Sequence, residues 1–321
     1  GPARYGELSG VIRKSIPHVE KVIESLRSKG YDIFFSEARK ALELRRPFKE
    51  KFESLDLNKL LVHSVRFLAL SDTHLGHRGE RPDIIKKAYQ IAEEKKVDLV
   101  LHCGNLLEGT YSYEEQPQDL IYFGADQQRK HALEIWPKSK IPTVFISSPR
   151  KEHDRIFWSR SGYDVVENFV EIARYQGYSF HYLGGARGIV KIKDIEIDLQ
   201  HPSGGLPYGQ TYRLQRRIEM LASAMELVKG AKATFVGHFH RAAALLYKGI
   251  FGCLVPACQE QTGYIDSIDK LAELGVWIVE LGFDEKKNLV KVELEYVPFE
   301  PQPEGTRYLD LDQEFSKKWQ T

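Results

Sequence analysis

Apolar and polar positions follow two rhythms along this chain. Near the N-terminus the rhythm is helical. Val19, Val22, Ile23 and Leu26 recur at i, i+3, i+4 and i+7, one face of a helix. Ser15 and Pro17 mark its start, and Lys29-Gly30 its end. Leu8 to Ile12 reads as a short helix before it, and residues 31–35 as a strand after it. Helix, turn, helix and then a strand pair is the order of a winged helix-turn-helix.

From residue 59 the rhythm changes. Apolar runs predict strands at 60–63, 65–70, 97–102, 143–147, 189–192, 195–200, 233–236, 251–255, 276–281 and 290–297. Helical spacing falls between them at 82–95, 127–135, 165–175 and 212–228. Alternation of this kind predicts a layered α/β domain. The strand-rich later part predicts a second, mostly antiparallel sheet. The expected organisation is a small helix-turn-helix-like unit at 3–56, the layered domain at 57–300, and a Pro- and charge-rich surface tail at 301–321.

Composition narrows the picture further. A chain of 321 residues can bury a substantial core. Its net charge of +1 gives no global field that would advertise nucleic acid or an acidic membrane. Cys103, Cys253 and Cys258 form neither a disulfide framework nor a CxxC pair, so buried reduced thiols are expected. No apolar run approaches the roughly 18 residues of a membrane span. No secretory signal is expected either, which points to the cytoplasm. Gly1-Pro2 is expected to be a protease-cleavage scar.

The N-terminal unit has two readings. Lys14, His18 and Lys21 could contact the phosphates of a nucleic acid. Basic side chains only slightly outnumber acidic ones there, so packing or homodimerisation is the alternative.

The candidate chemistry lies where apolar runs end. Ser71-Asp72-Thr73-His74-Leu75-Gly76-His77 follows the run at 65–70. Gly104-Asn105 follows the next run, His153-Asp154 and His201 follow later ones, and Gly237-His238-Phe239-His240 follows the run at 233–236. An Asp and a His two apart at a strand tip can aim at one ion. Carboxylate and imidazole together suit Mn²⁺, with Zn²⁺, Fe or Co²⁺ as alternatives.

These motifs resemble the calcineurin-like metallophosphoesterases over about residues 64–282. The resemblance is to the nuclease branch, which includes the Mre11-type nuclease and the small subunit of archaeal D-family polymerase. It extends to archaeal and viral phosphoesterases with an N-terminal helix-turn-helix. The stretches 201–205 and 258–262 are similar to that group. The resemblance implies a metallophosphoesterase β-sandwich flanked by helices. It implies two divalent ions, the first held by Asp72, His74 and His240 and the second by His201 and His238, with residue 105 bridging them. A metal-bridging hydroxide would attack the phosphate. His153 would stand beside that phosphate, protonating the leaving oxygen or stabilising developing charge. The implied activity is DNA or RNA cleavage.

Two positions depart from the pattern. The bridging residue is Asn105 rather than Asp, a neutral amide in place of a charge. Either the site has decayed or Asp was deliberately replaced. In Pro149-Arg150-Lys151-Glu152-His153, Glu152 stands where a metal-binding Asn belongs. It either ligates the second ion or belongs to a solvated loop. Three functions stay open: a nuclease, a phosphoesterase for small phosphodiesters or phosphoproteins, and a catalytically silent nucleic-acid-binding or assembly protein.

Other residues carry two readings each. Tyr111, Tyr113, Tyr122 and Phe123 could stack on bases or pack the insertion after Asn105. Arg155, Arg160, Arg213, Arg216 and Arg217 could form a phosphate-binding rim or lie on solvated faces. His77 is expected beside His74, and His102 is expected to be packed.

Overall fold

Strand Ser64–Leu70 explains why the chain stacks its layers. Side chains alternate across a strand. Here Val65, Phe67 and Ala69 enter one apolar cluster while Leu68 and Leu70 enter another. Both faces are covered, so the sequence reads as a continuous apolar run.

The computed structural model describes residues 15–28, 32–36, 41–45, 54–56, 64–114, 116–192, 195–205, 209–223, 230–267 and 271–302. The chain divides into two compact units, Gly1–Phe52 and Glu53–Thr321.

In the first unit, helix α1 (Ile16–Ser28) precedes β1 (Asp32–Ser36) and β2 (Ala41–Arg45), which pair antiparallel. Val19 and Ile23 are buried with Ile33 packed against them. Val22, expected on the same face, is 41% exposed, because two buried positions one turn apart make only a narrow stripe. A helix and a strand pair are what the described residues contain of the expected winged helix-turn-helix. The expected helix at Leu8 to Ile12 lies outside them, as does Lys14.

In the second unit the strands are β3 (Ser54–Asp56), β4 (Ser64–Leu70), β5 (Leu99–His102), β6 (Thr143–Phe145), β7 (Phe180–Tyr182), β8 (Arg187–Ile192) and β9 (Ile195–Gln200). They continue with β10 (Ala231–Val236), β11 (Ala243–Tyr247), β12 (Ile250–Leu254), β13 (Gly275–Phe283) and β14 (Leu289–Pro298). They form two six-stranded sheets, ordered β14-β13-β4-β5-β6-β7 and β11-β12-β10-β9-β8-β3. This is a mixed α/β fold with two sheets. One apolar cluster lies between the sheets, where Phe67 and Phe235 meet edge to face at 5.8 Å. Helices α2 (Pro82–Glu94), α3 (Ala125–Ile135) and α5 (Val165–Tyr175) cover the outer face of the first sheet, with α4 (Arg155–Ser161) preceding α5. Helix α6 (Tyr212–Ala222) covers the outer face of the second.

The expectation of a mostly antiparallel second sheet is corrected. β10 runs parallel to both β9 and β12, and β3 runs parallel to β8. The late strands β13 and β14 join the first sheet instead, antiparallel beside β4. Strand-rich sequence does not reveal which strands pair. Strand β7 is three residues long and β11 lies largely exposed at an edge, so neither has a sequence signal. The strand expected at 60–63 lies outside the described residues, as do 224–229 of the last predicted helix and 303–321 of the tail.

Candidate metal centre

Strands β4, β5 and β6 of one sheet and β9 and β10 of the other all end at the same edge of the sandwich. Asp72 and His74 leave β4, Asn105 leaves β5, His153 follows β6, His201 follows β9, and His238 and His240 follow β10. In open α/β sheets this carboxyl edge is where ligands are held. The loops are laced together. The Asp72 amide donates to the Gly104 carbonyl, the His74 amide to the Asn105 carbonyl and the Gly237 amide to the Gln200 carbonyl, each at 3.0 Å. Gly104 has φ of +97°, and a Cβ there would stand 2.4 Å from His201 Nδ1. Only glycine permits both that backbone and that approach.

Backbone strain concentrates at this edge. Asp72, His74, Asn105, His153, His238 and His240 all have positive φ, between 38° and 79°. For non-glycine residues such values cost energy and persist where function fixes them.

Asp72 is fully buried and its two oxygens are divided between two tasks. Oδ2 accepts from the Ser71 hydroxyl at 2.6 Å and from the His238 amide at 2.9 Å. Oδ1 is thereby aimed inward, where it lies 3.6 Å from His74 Nε2, 3.7 Å from His201 Nε2 and 3.4 Å from His240 Nε2. Burial alone would push this carboxyl up, but the surrounding imidazoles outweigh burial and hold its pKa well below the usual range.

The imidazoles are set from behind. His201 Nδ1 donates to the Cys103 carbonyl at 2.6 Å, and His238 Nε2 donates to the Gly204 carbonyl at 2.9 Å. His74 Nδ1 meets Glu108 Oε2 at 2.6 Å. Glu108 is itself held by Gln116 Nε2 at 2.6 Å. Burial would lower the His74 pKa, yet Glu108 and Asp72 overcome it and raise the pKa to about 9. Burial lowers His201, and lowers His238 to about 3, which keeps both rings neutral and able to ligate.

This donor set fits a divalent cation. His201 Nε2 is buried and has no hydrogen-bond partner among the described residues, although it stands beside the Asp72 carboxylate. A fixed Nδ1–H with Nε2 left over is how ligating histidines are oriented. Asp72, His74 and His240 bring their ligand atoms within 4.8 Å of one another, as do His74, Glu108 and His153.

Asn105 is 1% exposed and lies among these groups. Its Nδ2 is 3.1 Å from Asp72 Oδ1 and 3.2 Å from His74 Nε2, and its Oδ1 accepts from Ser148 Oγ at 2.5 Å. Ser148 Oγ also reaches Asp154 Oδ1 at 2.7 Å. Asp154 further accepts the Ser147 hydroxyl and the Leu106 amide, so it organises the loops beneath the site.

A cavity of about 310 Å³ opens over the centre. His74, Asn105, Glu108, Glu152, His153, His238 and His240 line it, with Ser112 and Tyr113 from the insertion and Ile265 and Leu271 opposite. His153 Nδ1 lies 3.1 Å from the Glu108 carbonyl and 3.5 Å from Glu108 Oε2.

The calcineurin-like phosphoesterase family profile matches residues 65–147. The matched segment carries Asp72, His74, Asn105 and Glu108, and it runs from β4 to just past the end of β6. Solved structures of similar fold include a novel archaeal phosphodiesterase, 14% identical, covering 73% of this chain and 100% of that one, with a TM-score of 0.41. They also include a 5'-nucleotidase precursor from Thermus thermophilus, 11% identical, covering 74% of this chain and 54% of that one, with a TM-score of 0.36. A third is Vps29 from Entamoeba histolytica complexed with Zn²⁺, 14% identical, covering 74% and 100%, with a TM-score of 0.33. Comparison with curated protein sequences gives no match.

The structure thus brings Asp72, His74, Asn105, His201, His238, His240 and His153 to one edge. Glu152 lines the cavity but belongs to neither close ligand group. His18 and Lys21 are exposed on α1, alternating with exposed Glu20 and Glu24. Two of the five arginines take neither of the readings weighed for them, a phosphate-binding rim or a solvated face. Arg155 is buried against Asp164, and Arg217 is buried against Asp198. Each is spent on an ion pair inside the fold. Arg213 is tied to the Ser203 carbonyl, and Arg216 pairs with Glu219. The three cysteines are free and buried, as expected. Glu108 and Ser148 escaped the sequence reading. Among the described residues no helix is long and apolar enough to cross a membrane.

Proposed function

We propose that this chain is a metal-dependent phosphodiesterase acting on nucleic acid through two divalent ions, with Mn²⁺ as the metal. The observation that carries the reading is Asp72 Oδ1, with three imidazole nitrogens 3.4–3.7 Å around it and His153 on the same cavity. Asp72, His74 and His240 would hold one ion. His201 and His238 would hold the other, with Asn105 between them and Glu152 as a further candidate ligand on the cavity wall. Bound ions supply positive charge to the phosphate and acidify the attacking water.

The chain's own groups do the rest. Glu108 fixes His74 through Nδ1 and turns Nε2 toward Asp72. His153 donates Nδ1–H to the Glu108 carbonyl, which leaves Nε2 for a phosphate or leaving oxygen. Exposed His18 and Lys21 on α1, with Lys14, would contact the nucleic-acid backbone.

A second reading rests on Asn105. An amide brings no charge to a position between two cations, which favours a nucleic-acid-binding protein that keeps its ligands without turnover. One experiment separates the two. The Asn105→Asp form is given Mn²⁺ and single- and double-stranded DNA and RNA. A gain of cleavage over the Asn105 form supports the phosphodiesterase. No gain on any substrate overturns it.

A further inference from the structure

The insertion after Asn105 presents Tyr111 in an unusual state, next in the chain to Ser112 and Tyr113 of the cavity wall. Its φ is +58° and its side chain is 54% exposed. A left-handed backbone is unfavourable for a non-glycine residue. A ring left more than half exposed returns little burial to offset that cost. The tip is nonetheless held firmly. Ser112 Oγ accepts the His153 amide at 2.9 Å, and the Ser112 amide donates to Gln116 Oε1 at 2.7 Å. The ring's position is therefore coupled to His153 and, through Gln116, to Glu108.

Arg160 completes the arrangement. Its Nη2 donates to the Tyr111 carbonyl at 3.3 Å, and its guanidinium carbon stands 5.4 Å over the ring centroid. Arg150 and Lys151 are exposed on the loop before α4, so positive charge gathers here although the tip also carries Glu114. Aromatic faces interleaved with cations are what unpaired nucleotides bind. The cavity argues for the same ligand. At about 310 Å³ it is at the small end of ligand sites, a size suited to one nucleotide unit.

We propose that Tyr111 and Arg160 form a subsite for one unpaired nucleotide of a single-stranded substrate, the base stacking on Tyr111 and the phosphate meeting Arg160. This rests on the nucleic-acid phosphodiesterase reading above and names its substrate class. The strand leaves the metal centre past Ser112 and crosses the insertion tip.

The test is fluorescence anisotropy of a short labelled oligothymidylate with the full chain, in chelator so that no cleavage intervenes. Tyr111→Ala weakens binding about tenfold, the effect of losing one stacked base. Tyr111→Gly gives the same loss while relieving the backbone, so misfolding cannot account for it. Tyr111→Phe keeps the affinity within about twofold, because stacking needs only the ring. Arg160→Ala lowers the slope of log affinity against log salt by about one. A duplex of the same length binds more weakly. The proposal is overturned if Tyr111→Gly binds like the natural chain, if Tyr111→Phe loses as much as Tyr111→Ala, or if the duplex is preferred. Failure of the parent reading looks different. Intact, Tyr111-dependent oligonucleotide binding without cleavage by the Mn²⁺-loaded Asn105→Asp form sinks catalysis and leaves the subsite. Cleavage of a chromogenic small phosphodiester without oligonucleotide binding sinks the subsite alone.

Discussion

Glu108 Oε2 lies 2.6 Å from His74 Nδ1, and the same oxygen lies 3.5 Å from His153 Nδ1. One buried carboxylate therefore sets a candidate metal ligand and the candidate acid together. Glu108 is held well below the usual carboxylate range, because His153 and His74 outweigh the effect of burial.

The first prediction concerns this brace. Glu108→Gln cannot satisfy both the Gln116 amide and His74 Nδ1–H. Outer partners of ligating histidines are worth about 10–100-fold in metal affinity. Calorimetric titration with Mn²⁺ should show a loss of that size. An affinity matching the natural chain would mean that Glu108 does not orient His74.

Asn105→Asp makes a second prediction, independent of turnover. The replacement puts a carboxylate where Nδ2 now stands, 3.1 Å from Asp72 Oδ1. Two carboxylates at such range repel by a few kcal/mol at an effective dielectric constant of about 20, unless one takes a proton or a cation intervenes. The variant should unfold at lower temperature than the Asn105 form in chelator and gain more from Mn²⁺. Equal unfolding temperatures with and without metal would argue against a cation at this point.

Much of this architecture is legible in sequence, for a physical reason. Strands covered on both faces read as largely apolar runs, so β4 and β5 stand out, and the apolar positions of β9 and β10 mark those strands too; the four ends locate Asp72, Asn105, His201 and His238. The pairing of β13 with β4 joins residues about two hundred positions apart, and no local pattern encodes it. Glu108 reads as an ordinary acid until the fold buries it under His74. Arg217 reads as one of three arginines on a polar helix. Only the register of α6 against β9 shows that it meets Asp198.

That buried pair supplies the third prediction. Asp198 is fully buried and accepts from Arg217 Nε at 3.0 Å, Arg187 Nε at 3.2 Å and Thr234 Oγ1 at 2.7 Å. Asp198→Asn removes the negative charge that the Arg217 and Arg187 guanidinium groups share. Breaking one side of a buried ion pair costs about 3–5 kcal/mol. Urea unfolding should show a loss of that order. A change below about 1 kcal/mol would return Arg217 to the solvent-facing rim.

Gly104→Ala tests the close approach beneath the site. The left-handed φ of +97° and a Cβ 2.4 Å from His201 Nδ1 cannot both be accommodated. The backbone alone costs about 1–2 kcal/mol, and relief of the clash must move His201 off the Cys103 carbonyl. Weaker Mn²⁺ binding should accompany the lost stability. Unaltered metal affinity would show that His201 is not a ligand.

The last prediction concerns acid. His102 is fully buried between Trp136 and Phe145, with Nε2 3.0 Å from Thr73 Oγ1. Burial lowers its pKa from 6.5 to about 3. Between those values the unfolded chain takes up a proton that the folded chain refuses. Stability therefore falls as pH drops through 6.5 toward 3, by up to about 1.4 kcal/mol per pH unit from this group. His102→Phe keeps an aromatic ring against Trp136 and Phe145, and Thr73 Oγ1 retains the Leu106 carbonyl at 3.0 Å. The quantity to compare is the slope of unfolding free energy against pH, in chelator, because the substitution also changes packing. Over two pH units below 6.5 the natural chain should lose about 2 kcal/mol more than the variant. His201 and His238 are also lowered by burial, but they are common to both proteins and cancel in the difference. Parallel slopes would mean that His102 takes up its proton in the folded chain, with water or an acid reaching the core beside β5.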